Sequence, residues 1–210
     1  MLIFSFSLAY SQNTYKLSLT KKEIKEIKES PKRHFIIKRF KLYKQLTKKV
    51  QDYPTLKKLS HVNAFFNKIL PQHDTAKYGI DDYWTTQKEF LIKGKGDCED
   101  YVIAKYFTLL ELGIPKDKLF LSVVRVKGRQ TDHMVLLYFE DKKSIPLVMD
   151  NLSFKVIPIT KRKKLIQKFA FNELGAYILK RNHLQKKVRI NWGEVDKWDL
   201  ILNRVYKYKQ

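Results

Sequence analysis

The chain has 210 residues, 44% hydrophobic and 13% aromatic, which is enough for one sizeable core. Its 43 Lys and Arg against 21 Asp and Glu give a net charge of +22, but the basic residues are spread over nearly every segment. No helix-turn-helix, zinc-finger or RRM-type pattern accompanies them, so the charge reads as a lysine-rich solvated surface and no nucleic-acid partner is expected. A single cysteine excludes an internal disulfide and most thiolate metal sites.

Residues 1–11 contain an apolar stretch, Leu2 to Tyr10, with small Ala9 and Ser11 before Gln12. The stretch is of signal-peptide length and too short to span a bilayer, and it lacks a basic start. It is expected to be a short or truncated signal peptide, with 12–210 as a single domain. Lys21 to Ser30 is helical in propensity, and Pro31 interrupts it. Phe35 to about Val50, and then Leu56 to Leu70 with Leu59, Val62, Phe65, Phe66 and Ile69, repeat at helical spacing; Pro71 stops the second. Gln72 to Lys95 reads as a loop rich in large aromatics (Tyr78, Tyr83, Trp84, Phe90) that packs over something.

Gly96 or Asp97 then caps a helix running to about Leu112. It is apolar around almost its whole circumference, which marks a core helix, and Gly113 and Pro115 end it. The period next changes to two. Leu119 to Lys127, His133 to Glu140 and Leu147 to Asp150 read as antiparallel strands. After Pro158 the spacing of Leu165, Ile166, Phe169, Leu174, Tyr177 and Ile178 predicts a helix. A C-terminal piece carries Trp192, Trp198, Leu200, Ile201 and Val205.

Cys98 stands at the head of the core helix, in Gly94-Lys95-Gly96-Asp97-Cys98-Glu99-Asp100. A helix N-terminus favours a thiolate, and its free N–H groups suit a developing oxyanion. A cysteine nucleophile needs a base. Of the five histidines, only His133 starts a strand beside a tight turn. Asp150 ends the neighbouring strand, where its carboxylate can orient the imidazole. Asp97, Glu99 and Asp100 surround the thiol with negative charge, which by itself opposes its ionisation. They serve either as helix-dipole partners pointing away from the sulfur or as oxygen ligands for a hard cation such as calcium.

The segments Tyr83-Trp84-Thr85-Thr86-Gln87-Lys88-Glu89-Phe90, Gly96-Asp97-Cys98-Glu99-Asp100-Tyr101, Ala104-Lys105-Tyr106, His133-Met134-Val135-Leu136 and Leu147-Val148-Met149-Asp150-Asn151-Leu152 occur in that order. Together they resemble the bacterial transglutaminase-like cysteine proteinases, over roughly Asp82 to Leu152. The resemblance implies an α+β, papain/transglutaminase-like fold, with the core helix carrying the cysteine packed on an antiparallel sheet carrying the histidine and aspartate. It implies endopeptidase activity with Cys98 as nucleophile, His133 as base and Asp150 as orienter. It also implies Ca2+ dependence through Asp97 and Glu99, with Asp100 as a further ligand. The implied setting is the periplasm. The implied substrate is the N-terminal region of a large biofilm adhesin, cut near a di-alanine motif. The implied regulator is the periplasmic domain of an inner-membrane cyclic-di-GMP receptor. Trp84 matches the family's tryptophan near the site and is expected to touch substrate or receptor. Gln87 stands where the family often has proline, so that segment is expected to differ in shape. A transglutaminase or amidase acting on glutamine side chains with the same triad, and a non-catalytic binding protein of this fold, are the competing readings.

Overall fold

The computed structural model describes residues 15–72, 83–141 and 143–206. The expected signal segment 1–11 lies outside them, as do His73 and Tyr78. Three helices open the described chain: α1 (Lys21–Glu29), α2 (Arg33–Val50) and α3 (Thr55–Phe66). Thr20 starts α1 with a capping box, in which its side chain accepts from the Glu23 N–H and Glu23 accepts from the Thr20 N–H. Leu59, Val62 and Phe66 of α3 recur at helical spacing and are fully buried. The strand β1 (Leu70–Pro71) pairs in parallel with β2 (Lys95–Gly96), which closes the long loop at its base.

The core helix α5 (Cys98–Glu111) follows directly. Every residue from Asp100 to Leu109 is buried, as its apolar circumference requires. Gly113, at φ +82°, ends it. The Ile114 N–H reaches the Leu109 carbonyl at 2.9 Å and the Gly113 N–H the Leu110 carbonyl at 3.0 Å, a Schellman cap.

Seven strands then form one antiparallel sheet: β3 (Leu119–Val126), β4 (Asp132–Tyr138), β5 (Leu147–Asp150), β6 (Ser153–Pro158), β7 (Leu165–Asn172), β8 (Gly175–Lys180) and β9 (His183–Val188). Their spatial order is β6-β5-β4-β3-β7-β8-β9. Alternation along β4 divides the core. Met134, Leu136 and Tyr138 join the cluster that contains α5, whereas Val135, Leu137 and Phe139 join a second cluster with Phe120, Val148 and Ile159. A last helix, α6 (Lys197–Tyr206), buries Trp198 and Ile201. The fold is therefore α+β, with the cysteine's helix packed on the antiparallel sheet.

Two elements differ from the sequence expectation. Residues 165–188 form strands β7 to β9 rather than a helix. The apparent helical period came from counting across a turn: Leu165, Ile166 and Phe169 belong to β7, Leu174 to the turn, and Tyr177 and Ile178 to β8. The breaks were present, since Gly175 (φ +138°), Arg181 (φ +51°) and Asn182 (φ +67°) all take positive φ at the hairpin turns. The second difference is α4 (Gln87–Lys93), a helix inside the expected loop. Thr86 and Glu89 form a full capping box there, a T-x-x-E signal legible in the sequence.

Candidate active site

The head of α5 is held by what precedes it. Gly94 ends α4 in the left-handed region (φ +70°), and β2 then delivers the chain to Asp97, the N-cap of α5. Asp100, in the first turn, is wholly buried. Its Oδ1 accepts from the Thr85 N–H at 2.8 Å and the Thr85 hydroxyl at 2.6 Å. Burial raises its pKa against those bonds and the Lys93 charge. Gly96 leaves no spare space: a Cβ there would lie 2.3 Å from Asp100 Oδ2 and 2.8 Å from Phe90 Cε2. Gly96→Ala is therefore expected to destabilise the protein by about 1–3 kcal/mol through forced displacement of Asp100. Thermal unfolding checks this, and an unchanged Tm contradicts it.

Cys98, half-buried, lines a cleft of about 380 Å³ together with Gly96, Asp97, Glu99, His133 and Asn151. Among the described residues, His133 is the one histidine in that lining. The Cys98 thiol donates to Glu99 Oε2 at 3.0 Å. Burial, then the Glu99 charge, push its pKa well above the usual thiol range, while a hydrogen bond from the Met134 N–H acts the other way. As the side chains stand, the thiol is protonated and bonded to Glu99.

His133 Nε2 lies 2.9 Å from Asp150 Oδ1, with both side chains buried. A carboxylate only accepts, so Nε2 carries the proton and Nδ1 is the nitrogen left to act as a base. Asp150 is secured on every side. Oδ1 also accepts from the Leu152 N–H at 2.9 Å, Oδ2 accepts from the Arg162 guanidinium, and the Asp150 carbonyl accepts from Asn67 Nδ2 at 2.8 Å. Burial alone would raise its pKa. The His133 bond and charge, the Leu152 N–H and Arg162 outweigh burial and hold the carboxyl below its ordinary range.

The family model of the bacterial transglutaminase-like cysteine proteinases (BTLCP) matches residues 41–170. The chain belongs to that family. Three solved structures of Legionella pneumophila LapG resemble this transglutaminase-like proteinase throughout. The calcium-bound one is 30% identical with a TM-score of 0.71, covering 86% of this chain and 96% of that one. The EGTA-treated one is 31% identical with a TM-score of 0.72, covering 86% and 94%. The third is also 31% identical, with a TM-score of 0.71. No curated protein matches. The proteinase is a cysteine peptidase, and Cys98 and His133 line one cleft, with Asp150 bonded to His133 behind it.

The remaining expected residues fall as follows. Asp97 and Glu99 line the cleft with Cys98, and Asp100 lies beneath Gly96. Among the described residues, no three His, Cys, Asp or Glu side chains converge as a ready cage for a metal. The donors are nonetheless all carboxylate oxygens, which suits a hard cation. Asp100 Oδ2 is buried without a hydrogen bond, and Lys93 Nζ lies 3.9 Å from it. Trp84 is 6% exposed. It stacks on Phe171 with ring centroids 6.3 Å apart and meets Trp192 edge-on, and its carbonyl accepts from Arg204. It is core rather than cleft lining. Gln87 is buried too: its amide N donates to Tyr43 and Thr108, and its carbonyl accepts from Tyr15. Arg162 was not anticipated. It stands in the run Lys161-Arg162-Lys163-Lys164, where nothing in the sequence separates it from its solvated neighbours.

Proposed function

We propose that the chain is a calcium-dependent periplasmic cysteine endopeptidase, a single catalytic domain over residues 12–210, that cleaves the N-terminal region of a large biofilm adhesin. Cleavage releases the adhesin from the cell surface under control of an inner-membrane cyclic-di-GMP receptor, whose periplasmic domain binds the protease. The observation that carries this reading is the cleft that Cys98 and His133 both line, with Asp150 bonded to His133. Likeness to LapG over nearly the full length of both chains supports it. No helix among the described residues is long and apolar enough to cross a membrane, which accords with an exported protease.

In this mechanism His133 Nδ1 takes the Cys98 proton, and the sulfur attacks the scissile carbonyl. The N–H groups at the head of α5 stabilise the oxyanion. His133 returns the proton to the leaving amine, and water resolves the acyl-enzyme. Asp150, locked by Arg162, keeps Nε2 protonated and stabilises the imidazolium that forms. Glu99 competes with His133 for the thiol proton, so the carboxylates must be engaged elsewhere before the thiol is released. Asp97, Glu99 and Asp100 are the residues that would hold calcium. When bound, the ion supplies positive charge that offsets theirs and lowers the thiol pKa.

Incubation with the N-terminal region of a large adhesin encoded nearby tests the substrate, with scission expected near a di-alanine pair. Calcium has a separate test. EGTA is expected to suppress cleavage at least about tenfold and to lower the Tm, and added Ca2+ should restore both. If EGTA leaves both unchanged, the carboxylates serve only the helix dipole.

A further inference from the structure

One wall of the Cys98 cleft is the end of the β3–β4 hairpin, where Val126, Arg129, Thr131 and Asp132 line it beside His133. Pairing of Val124 with His133 and of Arg125 with Asp132 fixes this hairpin end next to the imidazole. The Arg129 N–H donates to the Val126 carbonyl at 2.9 Å and closes the turn. The Lys127 N–H donates to the Lys164 carbonyl at 2.7 Å, which joins this turn to the one that leads into β7. Two turns are thus held side by side at the cleft wall.

The pair of turns is cationic. Lys127 and Arg129 of the first and Lys163 and Lys164 of the second are all exposed. Among the described residues, none of the four lies within ion-pair distance of a carboxylate. Asp132 is the one acid in residues 123–132 and 161–168. It is already engaged, by Arg125 at 3.3 Å and by Lys168 at 2.7 Å. The lysine-rich surface of α1 is different, because acids interleave it: Lys22 faces Glu26 at 3.9 Å, Lys25 faces Glu29 at 4.0 Å, and Lys88 reaches Glu23 at 2.7 Å. Like charges gathered at a cleft without counter-charge raise the local concentration of anions. Asp97 and Glu99 line the same cleft beside the thiol. An acidic side chain is therefore drawn to the hairpin end and repelled from the head of α5, which gives a bound peptide a preferred direction.

We propose that Lys127, Arg129, Lys163 and Lys164 form a specificity subsite that takes acidic side chains of the peptide substrate on one side of the scissile bond. The proposal rests on the reading of this cleft as a peptidase site. Arg129 lines the cleft itself, and an extended chain advances about 3.3 Å per residue, so the acids belong within a few residues of the cut.

Matched peptides from the adhesin's N-terminal region test this. They differ only in carrying two Glu or two Lys within about four residues of the scissile bond, on its N-terminal or its C-terminal side. On one of the two sides, kcat/KM for the Glu peptide is expected to exceed that for the Lys peptide at least about tenfold at low salt. The contrast should shrink several-fold at about 0.5 M salt. Arg129→Glu with Lys164→Glu, both in exposed turns whose bonds are made by backbone, is expected to reverse the preference. Lys38→Glu with Lys48→Glu on α2 makes the same change in net charge away from the cleft and should leave it in place. Glu and Lys peptides cleaved alike on both sides overturn the proposal, as does a preference that the α2 reversals move as far as the turn reversals do. Fluorescence anisotropy with Cys98→Ala reads the same preference as binding, without turnover. Preferential binding of a Glu peptide that wild type never cuts would leave the subsite standing and sink the peptidase reading. Equal cleavage and equal binding of all the peptides would do the opposite.

Discussion

Cys98→Ala is expected to reduce kcat/KM for peptide cleavage by at least about 10⁴-fold, because the nucleophile is lost and no neighbouring group replaces it. Among the described residues Cys98 is the free cysteine, and Asp97 and Glu99 beside it are carboxylates rather than thiols. The fold is expected to survive. The residue is half-buried at a helix start, where its side chain bonds to Glu99 at the cleft rather than filling the deep core. The Tm of Cys98→Ala should therefore lie within a few degrees of wild type. Substantial residual cleavage in a variant that melts normally would remove Cys98 from the mechanism.

Asp150→Ala is expected to be nearly as damaging and to cost stability as well. It strips the buried His133 ring of its orienting bond and leaves the Arg162 guanidinium facing a cavity. Breaking one side of a buried charge pair typically costs about 3–5 kcal/mol, and loss of the orienting carboxylate lowers kcat by about 10²–10⁴-fold. The pH dependence has a definite sign. The folded-state pKa of Asp150 is depressed, so the stability it contributes is present above the ordinary carboxylate range and is lost as pH falls through the depressed value. Plotting Tm against pH from 7 to 3 should show a steeper acid limb in the wild type than in Asp150→Ala. Parallel limbs would mean that Asp150 is not the buried anion the hydrogen bonds describe.

The two variants also show what was readable in the sequence. Cys98 was legible because a lone thiol stood between a glycine-rich turn and an all-apolar helix. His133 and Asp150 were legible because period-two segments placed them at neighbouring strand ends. Each of those signals is local. Arg162 was not legible: its role depends on the turn after β6 bringing it to Asp150, a long-range outcome that leaves no mark in a run of four basic residues. Lys105 lies among the apolar residues of α5, and only the structure shows that its side chain is wholly buried. The strands of residues 165–188 were misread although the evidence was local. Apolar residues on either side of a hairpin turn fall at helical spacing by coincidence, while Gly175 and Asn182, both at positive φ, mark the turns. For Trp84 the sequence showed proximity to the site but not depth; its ring is spent on Phe171 and Trp192.

Arg162 places a cation against the acid of the reacting set, bonded to the Asp150 carboxylate. On the other side of the cleft, Asp97 and Glu99 place two acids beside the thiol. The site is thus charged in the reverse of what an isolated cysteine–histidine pair would need.

Whether this cleft cuts the backbone is decided by mass spectrometry of the products formed from a peptide that carries both the adhesin's N-terminal sequence and an accessible glutamine, with wild type and Cys98→Ala run side by side in calcium. Two fragments whose masses sum to the parent plus one water, absent with Cys98→Ala, are the predicted result. An intact peptide carrying a deamidated glutamine or an isopeptide cross-link would contradict the endopeptidase account and assign the same cysteine to glutamine side-chain chemistry.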